Sequence, residues 1–212
     1  TELIWSLPTT LTHDVCGSTD TLSFVGGAGD FDVKGKIRNV GNIIAQIPGT
    51  VKNIAIALNQ ENCTLADAVR LKVFYTPSEI SDEITLISAL QDILPMDPSP
   101  VISTLPVPLQ PFQGQEVQIQ VIAARGWRKR GDFQFASQPL EVPGDDSSRR
   151  PLVTTSLRAG EFIAVSNRTA AHFNKKLEMS LDGPGQSHII MPSLQKLSLI
   201  HISEPTRRYA IS

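Results

Sequence analysis

Two periods alternate along this chain, and the switching between them predicts its elements. Residues 21–25 set Leu22 and Phe24 between polar neighbours and then meet Gly26 and Gly27, a strand running into a turn. Asp32, Lys34, Gly35 and Lys36 give a turn signal. Residues 42–60 carry Ile43, Ala45, Ile47, Val51, Ile54, Ala55 and Leu58 at near-helical spacing, with Asn42 placed to cap the start. Pro48 should kink or shorten that helix. Residues 68–76 alternate Val69, Leu71, Val73 and Tyr75 with Arg70, Lys72 and Phe74, a half-buried strand. Pro77, Ser78 and Glu79 open a second helix through Leu94, with Ile80, Ile84, Ile87, Leu90 and Leu94 on one stripe.

A proline-dense stretch follows. Residues 101–107 can still form a strand, although Pro106 and Pro108 deny it ladder donors. Residues 116–124 form the clearest strand, with Val117, Ile119 and Val121 on one face. The order predicts an α+β fold, a mixed β-sheet with two helices packed on one face. Residues 128–151 lose periodicity and hold Pro139, Pro143 and Gly144, which reads as a linker or long surface loop. The basic cluster Arg128, Lys129 and Arg130 can contact an anion, but its acidic neighbours favour a solvated stretch.

The pattern then begins again. Residues 160–167 parallel residues 20–27 at an offset of 140, and a polar loop through Asp182 and Gly183 leads into residues 187–197. A second copy of the unit is expected to start at 152 and to be cut off after about a third of its length. Such a fragment is too short for an independent core and should be poorly ordered or pack on the first domain.

Composition narrows the function classes. The 212 residues are 41% hydrophobic and 19% charged, with a formal charge of −2. Nothing in that balance favours nucleic acid or an anionic membrane as partner. No apolar run approaches the roughly 20 residues that span a bilayer, and no signal peptide is visible. Cys16 and Cys63 read as small buried hydrophobes in a reducing, cytoplasmic compartment, so the sequons at Asn62 and Asn167 carry no weight. His13, His172, His188 and His201 lack metal-ligand spacing, and neither a metal nor another cofactor is expected. The Gly26–Gly29 run lacks the Gly-Lys-Ser/Thr ending of a phosphate loop, and no hydrolase elbow occurs.

The last sixteen residues read differently. Eleven consecutive residues, 197–207, agree in one frame with the translation of a transposase-type sequencing-library adapter. Residues 197–212 are therefore expected to be a scar on a truncated, metagenomic-type fragment and not part of the natural protein. Without Arg207, Arg208 and Glu204 the charge becomes −3.

The ordered set of residues 22–28, 41–46, 51–54 and 68–76, then Ser103, Thr104, Pro111 and residues 117–123, resembles the RidA/YjgF family. The resemblance covers about residues 10 to 126, with a second, broken instance at about 152 to 196. It divides the chain into a RidA-like domain at 1–127, a linker at 128–151, a truncated second domain at 152–196 and the adapter scar at 197–212. It implies a chorismate-mutase-like α+β fold that trimerises around its sheets, with small-ligand clefts between subunits. Members of the best-known branch hydrolyse reactive enamines and imines to 2-keto acids and ammonia.

That chemistry needs an arginine fork for the substrate carboxylate and a carboxylate that shuttles a proton. The resemblance places the arginine at Ile102, before Ser103 and Thr104, and the glutamate at Gln120. The turn serine falls at Gly26 and the N-terminal tyrosine near His13, the best proton carrier available. Ile102 cannot bind a carboxylate and Gln120 cannot act as a base, so the first domain should not deaminate 2-imino acids by the family route. His13, Ser103 and Gln120 can anchor a different ligand. In the second copy, Ser166 matches the turn serine that Gly26 lacks. The leading expectation is a scaffold or small-molecule-binding module, acting on a metabolite within a homo-oligomer or pseudo-trimeric assembly. The alternatives are an imine deaminase whose cleft the second domain completes, and a regulatory partner of a metabolic enzyme.

Overall fold

The computed structural model describes residues 15–77, 83–94, 97–140 and 152–166. The chain divides into two units, Thr1–Ser166 and Asn167–Ser212, and every described residue belongs to the first.

Where the hydrophobic period is two, strands form. These are β1 (Cys16–Ser18), β2 (Leu22–Ala28), β3 (Ala68–Tyr75), β4 (Val101–Pro106) and β5 (Val117–Ala124). Where it approaches 3.6, helices form: α1 (Ile43–Gln60) and α2 (Glu83–Ile93). Asn42 caps α1 as its position predicts, its Oδ1 accepting from Ala45 N at 3.0 Å. Pro48 does not shorten α1, which runs through it. Proline removes a single donor from the ladder, and side chains brace the helix around that point. Asn39 Nδ2 donates to Ala45 O at 3.1 Å and Thr50 Oγ1 to Gln46 O at 2.8 Å.

The five strands form one mixed sheet in the order β1-β2-β5-β3-β4, with only β3 and β4 parallel. β4 is an edge strand, which is why Pro106 is tolerated at its end. Both helices cover one face. Ile47, Val51, Ile54 and Leu58 of α1 and Leu86 and Leu90 of α2 share a core with Leu71, Val73, Val117, Ile119 and Val121 of the sheet. The α+β architecture, with its two principal helices on one face of a mixed sheet, is the one the periodicity predicts. Fully buried Gln46 ties α1 to the loops beside it. Its Nε2 donates to Asn39 O and Gly114 O, and its Oε1 accepts from Glu116 N at 2.8 Å.

The stretch read as a linker contains regular structure in its described part. A helical turn, α3 (Trp127–Arg130), leads into β6 (Phe133–Pro139), which pairs with β7 (Leu152–Ala159); β7 pairs in turn with β8 (Phe162–Val165). Packing of this three-stranded sheet outweighs the weak local pattern. Leu157, Ala159 and Ala164 join fully buried Trp127 and Val69, Val101 and Ala124 in a second apolar cluster. Trp127 Nε1 donates to Asp67 O at 3.1 Å, and the ring meets Phe133 edge-on at 5.0 Å. Arg128 stacks on that indole at 4.2 Å and donates to Ala66 O, Asp97 O and Pro98 O. Three carbonyls engage the guanidinium that stood as an anion candidate, and burial lowers its pKa against the pull of Asp67 and Asp97. Residues 167–196 and the adapter-like segment 197–212 lie outside the described residues.

Candidate functional site

The face of the five-stranded sheet opposite α1 and α2 brings three of the sequence candidates into one row. Because side chains alternate along a strand, the residues between those of the helix-side core point to this face. Lys72 pairs with Gln120 on β5 and with Ser103 on β4. On the far side of β5, the ladder between β2 and β5 shifts register between Val25 and Ala28, so that Gly26 and Gly27 together stand opposite Gln120. The row therefore reads Gly26, Gln120, Lys72, Ser103 across four strands. A neighbouring row holds Phe24, Ile122, Arg70 and Val101, and another holds Gln118, Phe74 and Leu105.

Glycine has a specific use in this bulge. A Cβ at Gly27 would run into the Gln118 side-chain amide, which lies across the strand. Gln120 and Gly26 are exposed, whereas Ser103 is 2% exposed. Phe24 and Leu105 stand on the open part of the face at 41% and 42% exposure. The second apolar cluster covers the end of the face around Val69, Val101 and Ala124.

Ile102 is not part of this row. It pairs with Leu71 and packs against the helix-side core, so it and Gln120 point to opposite faces. Its neighbour Thr104, also on the helix side, donates through Oγ1 to Glu83 Oε1. His13 lies outside the described residues. Ser166 follows β8, and its N–H donates to Thr155 O at 2.9 Å. Gly26 N makes the corresponding bond to Val15 O at 3.1 Å, at the same offset of 140 residues.

Sequence reasoning missed Lys72 and Arg70 as site residues. Both were visible as the polar alternates of β3, but their place beside Ser103 and Gln120 depends on the register of three strands. Lys72 Nζ lies 4.9 Å from the centroid of the Phe74 ring. On the helix side, the two cysteines are buried free thiols, with Cys63 Sγ 3.2 Å from Ser23 Oγ. Burial, with Glu61 adding repulsion, pushes the Cys16 thiol up to about 11. Among the described residues, no three His, Cys, Asp or Glu side chains group to hold a metal ion. No helix there is long and apolar enough to cross a membrane.

No protein-family model and no curated protein matches the chain. Solved structures do. TM0215 of Thermotoga maritima aligns at 20% identity and TM-score 0.50, covering 58% of this chain and 94% of its own. Yeast Mmf1 aligns at 17% identity and TM-score 0.50, with the same coverage of both chains. Rv2704 of Mycobacterium tuberculosis, described as a member of the YjgF/YER057c/UK114 family, aligns at 25% identity and TM-score 0.44 over 52% of this chain and 84% of its own. With its mixed five-stranded sheet and helices on one face, the chain carries the YjgF/RidA family fold.

Proposed function

We propose that the first domain, residues 1–127, is a scaffold or small-molecule-binding module and not by itself a deaminase of 2-imino acids. One observation carries the reading. The row Gly26, Gln120, Lys72 and Ser103 contains donors and acceptors but no carboxylate to move a proton. Ile102, in the place where the resemblance puts an arginine, turns its side chain to the core. The ligand in this reading is a small metabolite, bound without metal or organic cofactor, in a cytoplasmic homo-oligomer or pseudo-trimer. Nucleic acid and membrane are not partners.

A second reading draws on residues 152–166. The pairs Ser156–Val165, Leu157–Ala164 and Arg158–Ile163 of β7 and β8 repeat Cys16–Val25, Gly17–Phe24 and Ser18–Ser23 of β1 and β2 at an offset of 140. The bond from Ser166 N to Thr155 O repeats that from Gly26 N to Val15 O. This recurrence supports a tandem architecture in which a second copy opens at 152. It also favours an imine deaminase whose cleft the second copy completes, with Ser166 in the turn position that Gly26 vacates.

A thermal-shift screen of small metabolites against the chain tests the binding reading. A ligand of the module raises Tm saturably, in proportion to RT ln(1 + [L]/Kd), and Gln120→Leu diminishes the shift. A screen in which no compound gives a saturable shift contradicts it. The gene beyond codon 196 tests the tandem reading: an arginine before a small-residue pair, with glutamate on the next strand, supports the completed cleft.

A further inference from the structure

Four strands lie at the edges of the two sheets: β1 and β4 of the five-stranded one, β6 and β8 of the three-stranded one. An edge strand presents a row of unpaired N–H and C=O groups, and proteins blunt it with brevity, polar side chains or proline. β1 is three residues long and exposes Gly17 and Ser18, β4 ends in Pro106, and β6 ends in Pro139. β8, which reads Phe162, Ile163, Ala164, Val165, has neither charge nor proline. Among the described residues no strand lies on its outer side. Both of its faces are apolar. Phe162 and Ala164 join the cluster around Trp127, and Ile163, 47% exposed, points the other way.

The first hairpin shows what such an edge takes. β7 and β8 pair in the register of β1 and β2, displaced by 140 residues. β2 gives its other edge to β5, antiparallel, with Leu22, Ser23, Phe24 and Val25 opposite Ala124, Ala123, Ile122 and Val121. Those four residues of β5 are apolar on both faces of the strand, as the two faces of β8 require. We propose that the outer edge of β8 docks an antiparallel strand of β5's pattern, with Phe162, Ile163, Ala164 and Val165 opposite the positions of Ala124, Ala123, Ile122 and Val121. This rests on the tandem reading, in which the occupant is the second copy's counterpart of β5. Main-chain bonds supply the affinity, and the two alternating apolar rows fix the register.

The test adds a peptide of residues 116–125 to the isotope-labelled full chain and reads amide shifts by NMR. Amides of residues 162–165 should shift saturably. A peptide carrying Val121→Pro and Ile122→Pro, one of which must remove a ladder donor, should bind about tenfold more weakly or worse. The unaltered peptide should lose affinity similarly on Ile163→Lys, which sets a charge in an apolar row. The proline peptide serves if that variant fails to fold. Equal affinity for the proline peptide, or undiminished binding to folded Ile163→Lys, overturns the proposal. So does a response centred on β1, β4 or β6, or no saturable response. Shifts at residues 162–165 that grow with chain concentration in the absence of peptide assign the edge to β8 of a second copy and overturn it too. The tandem reading is judged separately by the gene beyond codon 196, and it stands if that gene encodes the second copy while the peptide fails.

Discussion

Leu157→Ala tests how the three-stranded sheet is held against the five-stranded one. Leu157 is fully buried and belongs to the cluster of Val69, Val101, Ala124, Trp127, Ala159 and Ala164. A buried leucine truncated to alanine loses about 2–5 kcal/mol, depending on how far the site collapses. Three of these neighbours are alanines and a fourth is an indole fixed by its bond to Asp67 O, so there is little side chain to fill the cavity. The cost should fall near the middle of that range, about 3–4 kcal/mol. The polar ties that remain, Gln91 Nε2 to Leu152 O at 2.7 Å and Ser99 Oγ with Thr154 Oγ1 at 2.9 Å, contribute about 1 kcal/mol each and do not compensate. If β6, β7 and β8 open as a local unit, their amides should exchange about 150- to 900-fold faster in the variant. Amides of β3 and β5 should keep their rates. Hydrogen exchange read by mass spectrometry resolves the two groups. Equal acceleration in β3 and β5, or less than about tenfold in β7 and β8, would refute the reasoning.

Three further outcomes are expected. Gly49→Ala, which helix propensity alone would make stabilising by about 1 kcal/mol, should instead destabilise by about 1–3 kcal/mol in urea unfolding. Its new Cβ meets the carboxylate of buried Asp30, which Arg38 and Asn39 hold in place. Asp32 accepts from the backbone N–H groups of Lys36 and Lys34, and these bonds lower its pKa. Its contribution to stability is therefore present above the ordinary carboxylate pKa and lost as pH falls through the lowered value. Asp32→Asn should flatten that part of the Tm-against-pH curve, and an unchanged slope would contradict the assignment. Cys16 and Cys63 should resist iodoacetamide at about pH 8 in the native protein and react fully in urea. Rapid native labelling of Cys16 would be inconsistent with its raised pKa and burial.

What could be read from the sequence was local. α1 announced itself by period and by Asn42, and β3 and β5 by strict alternation. β4 was readable despite Pro106 because an edge strand needs donors on one side only. Pro48 does not shorten α1, and the bonds beside it are local ones: Thr50 to Gln46 O one turn back, and Asn39, from the turn before the helix, to Ala45 O. β6 was hidden by the weakness of its own pattern. Phe133 and Phe135 alternate with Gln134, but Gly131 and Pro139 bracket them, and the strand exists through its pairing with β7. The candidate site divides in the same way. Gln120 and Ser103 were recognisable from their places in the chain, whereas Lys72 joins them only through the β3–β4 and β3–β5 registers. The inward turn of Ile102 follows from that same parallel register with Leu71. The offset of 140 residues between 20–27 and 160–167 was visible in the sequence, and the strand pairings of the two hairpins share it.

The most direct test of the functional account measures keto-acid formation when an amino-acid oxidase releases 2-imino acid in the presence of the chain. With no carboxylate in the Gly26, Gln120, Lys72, Ser103 row and Ile102 turned to the core, the account predicts a rate equal to that in buffer. A rate that rises in proportion to the concentration of the chain would contradict it.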